Sequence, residues 1–159
     1  MLRTSFAVLY IILTALLIGF IVKAAGSRSK MAGPVIKVIF AGAMTALFYA
    51  LYLLAAGYGR QPACFLLGMY YLSIGWLTYW LTDYVMEYTE VRLVTRLPRV
   101  ILFVMVLLDS ISILVNNFTG HMFSMIQLYD GSNGQYYWTS QPHGWMSIHL
   151  ALCYVTVSY

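Results

Sequence analysis

The chain has 159 residues, of which 62% are hydrophobic and 9% charged, with a formal net charge of +4. A soluble globular domain carries about 25% charged residues, so this composition excludes an ordinary water-soluble domain. The positive balance does not indicate nucleic acid, because the basic residues sit in short clusters between apolar runs.

Five apolar segments follow in chain order, 6–22, 35–57, 62–84, 97–118 and 144–159. Each of the first four approaches or exceeds the roughly 20 residues that a membrane-spanning helix needs. The expected fold is an all-α membrane protein, a polytopic bundle of about five transmembrane helices with an external β-hairpin loop. The first segment is not a signal peptide. Its apolar run is too long, and Lys23 would stand where a cut after Ala25 needs a small residue.

Basic residues set the expected orientation. Lys23, Arg28, Lys30 and Lys37 flank the first loop, and Arg92, Arg96 and Arg99 flank the third. Arg3 and Arg60 fall on the other side. The bias places loops 23–37 and 87–99 in the cytoplasm and the N-terminus outside, in a multi-pass protein of the cell membrane.

The second segment carries Gly42, Ala46 and Ala50 at four-residue spacing. Small residues so spaced let helices approach closely in lipid, either within the bundle or in a homodimer. The third segment is rich in tyrosine and tryptophan. Trp76, Trp80, Asp83 and Glu87 share one helical face, with Trp76 deep in the span and Asp83 and Glu87 near the cytoplasmic end. The acids there pair with Arg92, Arg96 or Arg99, or else Trp80, Asp83 and Glu87 couple a shift to a cytoplasmic domain.

The fourth segment holds Asp109 near its middle. A charged group at that depth costs about 2.5–3.5 kcal/mol or more, so Asp109 should face protein or water and be protonated or hydrogen-bonded. Asp109, Ser112 and Asn116 form one polar stripe that continues into Asn117 and His121. Beyond it, Ile126 to Tyr129 and Gln135 to Thr139 flank Asp130-Gly-Ser-Asn-Gly134, a hairpin signature. The hairpin, with Trp138 and several tyrosines, either caps the bundle or acts as a lid. Asn117-Phe-Thr119 matches a glycosylation sequon, which matters only in a eukaryotic secretory pathway.

The fifth segment offers sixteen residues, about 24 Å of helix against a hydrocarbon core of roughly 30 Å. A fragment of a longer chain, or a tilted last helix, accounts for this. His149 lies in its outer third and takes a structural, a ligand-contacting or, least simply, a metal-binding role. Cys64 and Cys153 lie in apolar runs and read as buried thiols. No metal-ligand spacing, cofactor loop or catalytic serine or cysteine signature is present, so neither metal nor cofactor is expected.

Two stretches together carry a family resemblance, YYLSIGWLTY at 70–79 and LDSISILVNNFTGHMF at 108–123, followed by the tyrosine-rich hairpin. They resemble the N-terminal seven-helix sensor region of bacterial, chiefly Firmicutes-type, diguanylate cyclases (GGDEF) and histidine kinases. In that family an Asp in helix four precedes an Asn about seven residues later. The resemblance covers the chain from about Pro62 onward. It implies that this chain stops within helix five, that two spans and a cytoplasmic output domain follow, and that the segment itself is not an enzyme. The expected function is a signal-sensing module. A small ligand would bind in the outer half among Asp109, Asn116, Asn117, His121, Trp138 and His149, and helix movement would carry the signal inward. The competing readings are a transporter subunit with Asp109 as its coupling site, and a small five-helix binding protein or enzyme.

Overall fold

The structure, a computed structural model, describes residues 2–89, 97–131 and 134–158. Its elements in order are α1 (Leu2–Ala25), α2 (Ala32–Ala55), α3 (Arg60–Tyr88), α4 (Leu97–Thr119), β1 (Phe123–Asp130), β2 (Gln135–Pro142) and α5 (Gly144–Ser158). Four helices, α1 to α4, are long and apolar enough to cross a membrane by length and composition. The 15-residue α5 is shorter.

The helix boundaries have local causes. Pro34 and Pro62 stand in the first turns of α2 and α3, where the missing N–H would have had no intrahelical partner. Gly120 ends α4 in the left-handed region (φ 65°) and donates its N–H to the Asn116 carbonyl at 2.8 Å. Within the helices, hydroxyls turn back on their own backbone: Thr78 Oγ1 donates to Gly75 O and Ser110 Oγ to Val106 O. Among the described residues no buried side-chain nitrogen or oxygen lacks a partner, as an apolar surrounding requires.

Helix α1 packs on α2 and α2 on α3. Helix α3 also meets α4, α5 and both strands. Ala46 and Ala50 are buried, and a Cβ on Gly42 would lie about 4 Å from Leu17 of α1 and Leu77 of α3. The small-residue stripe therefore serves packing inside the chain.

Loops alternate between two ends, which we call the hairpin end and the basic end. The main apolar core lies at the hairpin end, where Tyr52, Leu67, Ile113, Met122, Phe123, Met125 and Met146 meet. The hairpin is thus a wall of the core. Its strands run eight residues each, longer than the stretches Ile126 to Tyr129 and Gln135 to Thr139 read from sequence, in the register Phe123↔Pro142 to Asp130↔Gln135. The hairpin is anchored to α2. The Trp138 N–H donates to Ala56 O at 2.8 Å, and the Tyr52 hydroxyl donates to Trp138 O at 3.2 Å. One turn of α2 and the residue after its end thereby hold both backbone groups of one hairpin residue. Gly134, at φ 65°, supplies the positive φ expected of the turn.

Candidate functional site

Asp109 faces the interior, as its insertion cost requires. His149 Nδ1–H donates to Asp109 Oδ2 at 2.7 Å. The imidazole has no exposed surface, and the Asp109 side chain keeps about a tenth of its own. The pair packs against Gly75 of α3. A Cβ there would already sit 3.7 Å from Asp109 Oδ2 and 3.9 Å from His149 Cε1. The Tyr71 ring closes one side, edge to face with the imidazole at 5.8 Å between centroids.

The other ring nitrogen is also directed. Cys153 Sγ lies 3.8 Å from His149 Nε2, one turn further along α5. In the neutral imidazole that gives its Nδ1–H to the carboxylate, Nε2 carries the lone pair and accepts from the thiol. Asp109, His149 and Cys153 therefore form a buried relay across α4 and α5. Sequence reading missed the third member, although the His149–Cys153 spacing of i, i+4 was visible. The two outer members engage opposite nitrogens of one ring and do not converge. Among the described residues no three His, Cys, Asp or Glu groups are placed to hold a metal.

The remaining residues expected in one ligand pocket are not brought together. Asn116 is buried and fully committed to backbone: Oδ1 accepts from Met122 N–H at 2.7 Å and Phe123 N–H at 3.2 Å, while Nδ2 donates to Phe123 O at 3.1 Å. Asn117, a helical step of about 100° further round, is exposed. His121 bonds Ser112 Oγ at 2.8 Å and Thr119 Oγ1, fastening the turn onto α4. Trp138 packs its ring against the core and gives its backbone to α2. The polar stripe is real, and its outer members Asn116 and His121 are engaged in securing the hairpin and its entry turn.

At the basic end, Asp83 pairs with Arg99. Lys37 Nζ lies 4.5 Å above the Trp80 ring, a cation–π contact. Glu87 is exposed. The alternative partners Arg92 and Arg96 lie outside the described residues.

A cleft of about 520 Å³ opens at the hairpin end, between the start of α1, the end of α2 and the start of β2. Arg3, Gly57, Tyr58, Gln135 and Tyr136 are among its lining residues. The Arg3 guanidinium lies against Gly57, where a Cβ would come within 2.7 Å of Nη2, and 5.8 Å from the Tyr137 ring centroid. Its volume falls in the range of about 300–1,000 Å³ typical of small-molecule sites. Nothing in the local sequence marks this cleft, because its walls come from three separated segments. Comparison of the chain with family models, curated proteins and solved structures finds no match.

Proposed function

We propose that this chain is a membrane-embedded signal-sensing module. It takes a small ligand at the hairpin end and passes a helix displacement to a cytoplasmic output domain beyond residue 159, of the diguanylate cyclase or histidine kinase type. The bilayer is its surrounding, with the N-terminus and hairpin outside. Large apolar side chains on α1 and α4, such as Leu16 and Leu108, are more than half exposed, which an aqueous monomer would not tolerate over so wide a surface.

The observation that carries the sensor reading is the place of α3. It contacts both strands at one end and holds Asp83 at the other. A ligand in the 520 Å³ cleft rests on the hairpin and α2. If it favours one hairpin position, α3 must accommodate the change along its length. The cleft replaces the pocket expected from the polar stripe.

The native reading frame and its output test this. Two further spans and a soluble signalling domain, whose basal turnover shifts about threefold or more when Tyr52→Phe removes a hairpin hook, support it (a threefold shift is under 1 kcal/mol, within one lost hydrogen bond). A stop codon directly after Tyr159 overturns it. Turnover unmoved by Tyr52→Phe and by Asp109→Asn also overturns it. The buried Asp109–His149 pair favours a second reading, a proton-coupled carrier, in which Asp109→Asn would abolish pH-driven uptake into vesicles.

A further inference from the structure

A second cleft, of about 460 Å³, lies at the basic end between the last turn of α1, the turn that follows and the first turns of α2. Its floor is apolar, formed by Phe20, Val35 and Ile39 among others, and its rim carries Lys23, Ser27 and Ser29. We propose that it binds an anionic phospholipid, with the phosphate at the rim and the start of an acyl chain on the floor. The inference rests on the membrane reading above.

Each part of the cleft suits one part of that ligand. Neither ion pair among the described residues uses Lys23, and no acidic residue precedes Asp83 in the chain. Arg28 and Lys30 add charge of the same sign in the same turn. The Ser27 hydroxyl oxygen accepts from Ser29 N–H and the Ser29 hydroxyl oxygen from Met31 N–H, both at 3.2 Å. In those bonds the oxygens accept, so each hydroxyl keeps its own proton to donate outward. Helix α2 begins at the same place without a side-chain cap, and the positive end of its dipole favours an anion there.

The floor decides between lipid and free phosphate. Phe20 precedes Lys23 by three residues on α1, and Val35 and Ile39 lie one turn apart on α2. They lead from the cationic rim toward the middle of the helix pair, the path of an acyl chain below its headgroup. An inorganic anion would leave them uncovered. A zwitterionic lipid would bring no net charge to a basic rim.

Native mass spectrometry of the detergent-purified chain, with equimolar phosphatidylglycerol and phosphatidylcholine, tests the site. Phosphatidylglycerol should be retained about fivefold over phosphatidylcholine, the effect of roughly one lysine near an anionic headgroup. Lys23→Gln should remove most of that preference. Lys37→Gln should keep it, because Lys37 stands at the same end but lies over Trp80. No preference in the wild-type chain, or equal loss in both variants, overturns the site. Glycerol phosphate that displaces the lipid at matched concentration makes it a soluble-phosphate site and overturns the lipid assignment. Release of the chain from membranes by alkaline carbonate would fail the membrane reading itself; a chain that stays inserted but shows no preference fails this site alone.

Discussion

Asn116 and Asn117 are adjacent, identical in chemistry and opposite in consequence. Asn116→Ala should destabilise the protein severely, while Asn117→Ala should leave it almost unchanged. The alanine at 116 strips partners from the N–H groups of Met122 and Phe123 and from the Phe123 carbonyl. Met122 and Phe123 are almost fully buried, so water does not readily replace the amide. Each unmet buried group costs about 1–3 kcal/mol. Two of the three bonds share one oxygen, so the losses are not additive, and about 3–5 kcal/mol is the expected total. For a domain of this size that lowers the melting temperature by roughly 6–20 °C. Asn117→Ala changes an exposed side chain and should stay within about 0.5 kcal/mol. Asn116→Asp should fall between them, since the carboxylate still accepts both N–H bonds but sets an oxygen against Phe123 O. The assay is thermal unfolding in detergent, followed by tryptophan fluorescence, with Trp138 in the anchored hairpin as reporter. Equal melting temperatures for the two alanine variants would refute the backbone role of Asn116. They would return it to the ligand pocket that the sequence suggests.

Asp109→Leu leaves the buried His149 without its acceptor and should cost about 3–5 kcal/mol, while Asp109→Asn, which keeps the size and one hydrogen bond, should cost less than half of that. Equal stability and output for both variants would make the acid incidental. Gly75→Ala should be tolerated, because its Cβ meets Asp109 and His149 at ordinary contact distance, whereas Gly75→Leu should unfold the chain or part α4 from α3; equal melting of the two would sink the packing argument. Cys153 should react with uncharged N-ethylmaleimide faster in wild type than in Asp109→Asn, with Cys64 as the internal control, because only the carboxylate fixes Nε2 as the acceptor for the thiol. Rates equal in both proteins would dissolve the relay. On a background lacking both native cysteines, Gly131→Cys should label with impermeant maleimide in intact cells and Ser29→Cys only after permeabilisation; the reverse would invert the topology.

The parts of this fold that were legible in sequence are those set by bulk energetics. Lipid-length apolar runs gave α1 to α4, because a backbone without water must close its own hydrogen bonds. The run Asp130 to Gly134 gave the hairpin turn, because the positive φ at Gly134 suits a residue without Cβ. Asp109 had to face inward, and it does. What was not legible were the backbone partners. A sequence displays side chains, so a polar residue aimed at the interior looks the same whether its partner is a ligand or a peptide group. The N–H groups that occupy Asn116 are brought to it by the turn after Gly120. The strand extensions at Phe123–Met125 and Ser140–Pro142 lack a clear period-two pattern, and their far end is held through backbone groups, those of Phe123 by Asn116 and the Met122 carbonyl by the His143 N–H.

The distribution of these partners bears on how such a module moves. At the hairpin end the polar groups are spent on fixed backbone, so β1, β2, α2 and the end of α4 behave as one block. Helices α4 and α5 each pack on α3 and share far less surface with each other. A direct tie between them among the described residues is the Asp109–His149 bond, packed against Gly75. A displacement of the block therefore has two routes inward. Along α3 it meets many small apolar contacts, which yield gradually. From α4 to α5 it meets the Asp109–His149 bond in a low-dielectric setting, which is either made or broken. A gradual route transmits position, whereas a single strong bond supplies a threshold. On the sensor reading proposed above, a module with two states needs the second kind of element, and the carboxylate–imidazole pair is a place in this chain where the chemistry offers one.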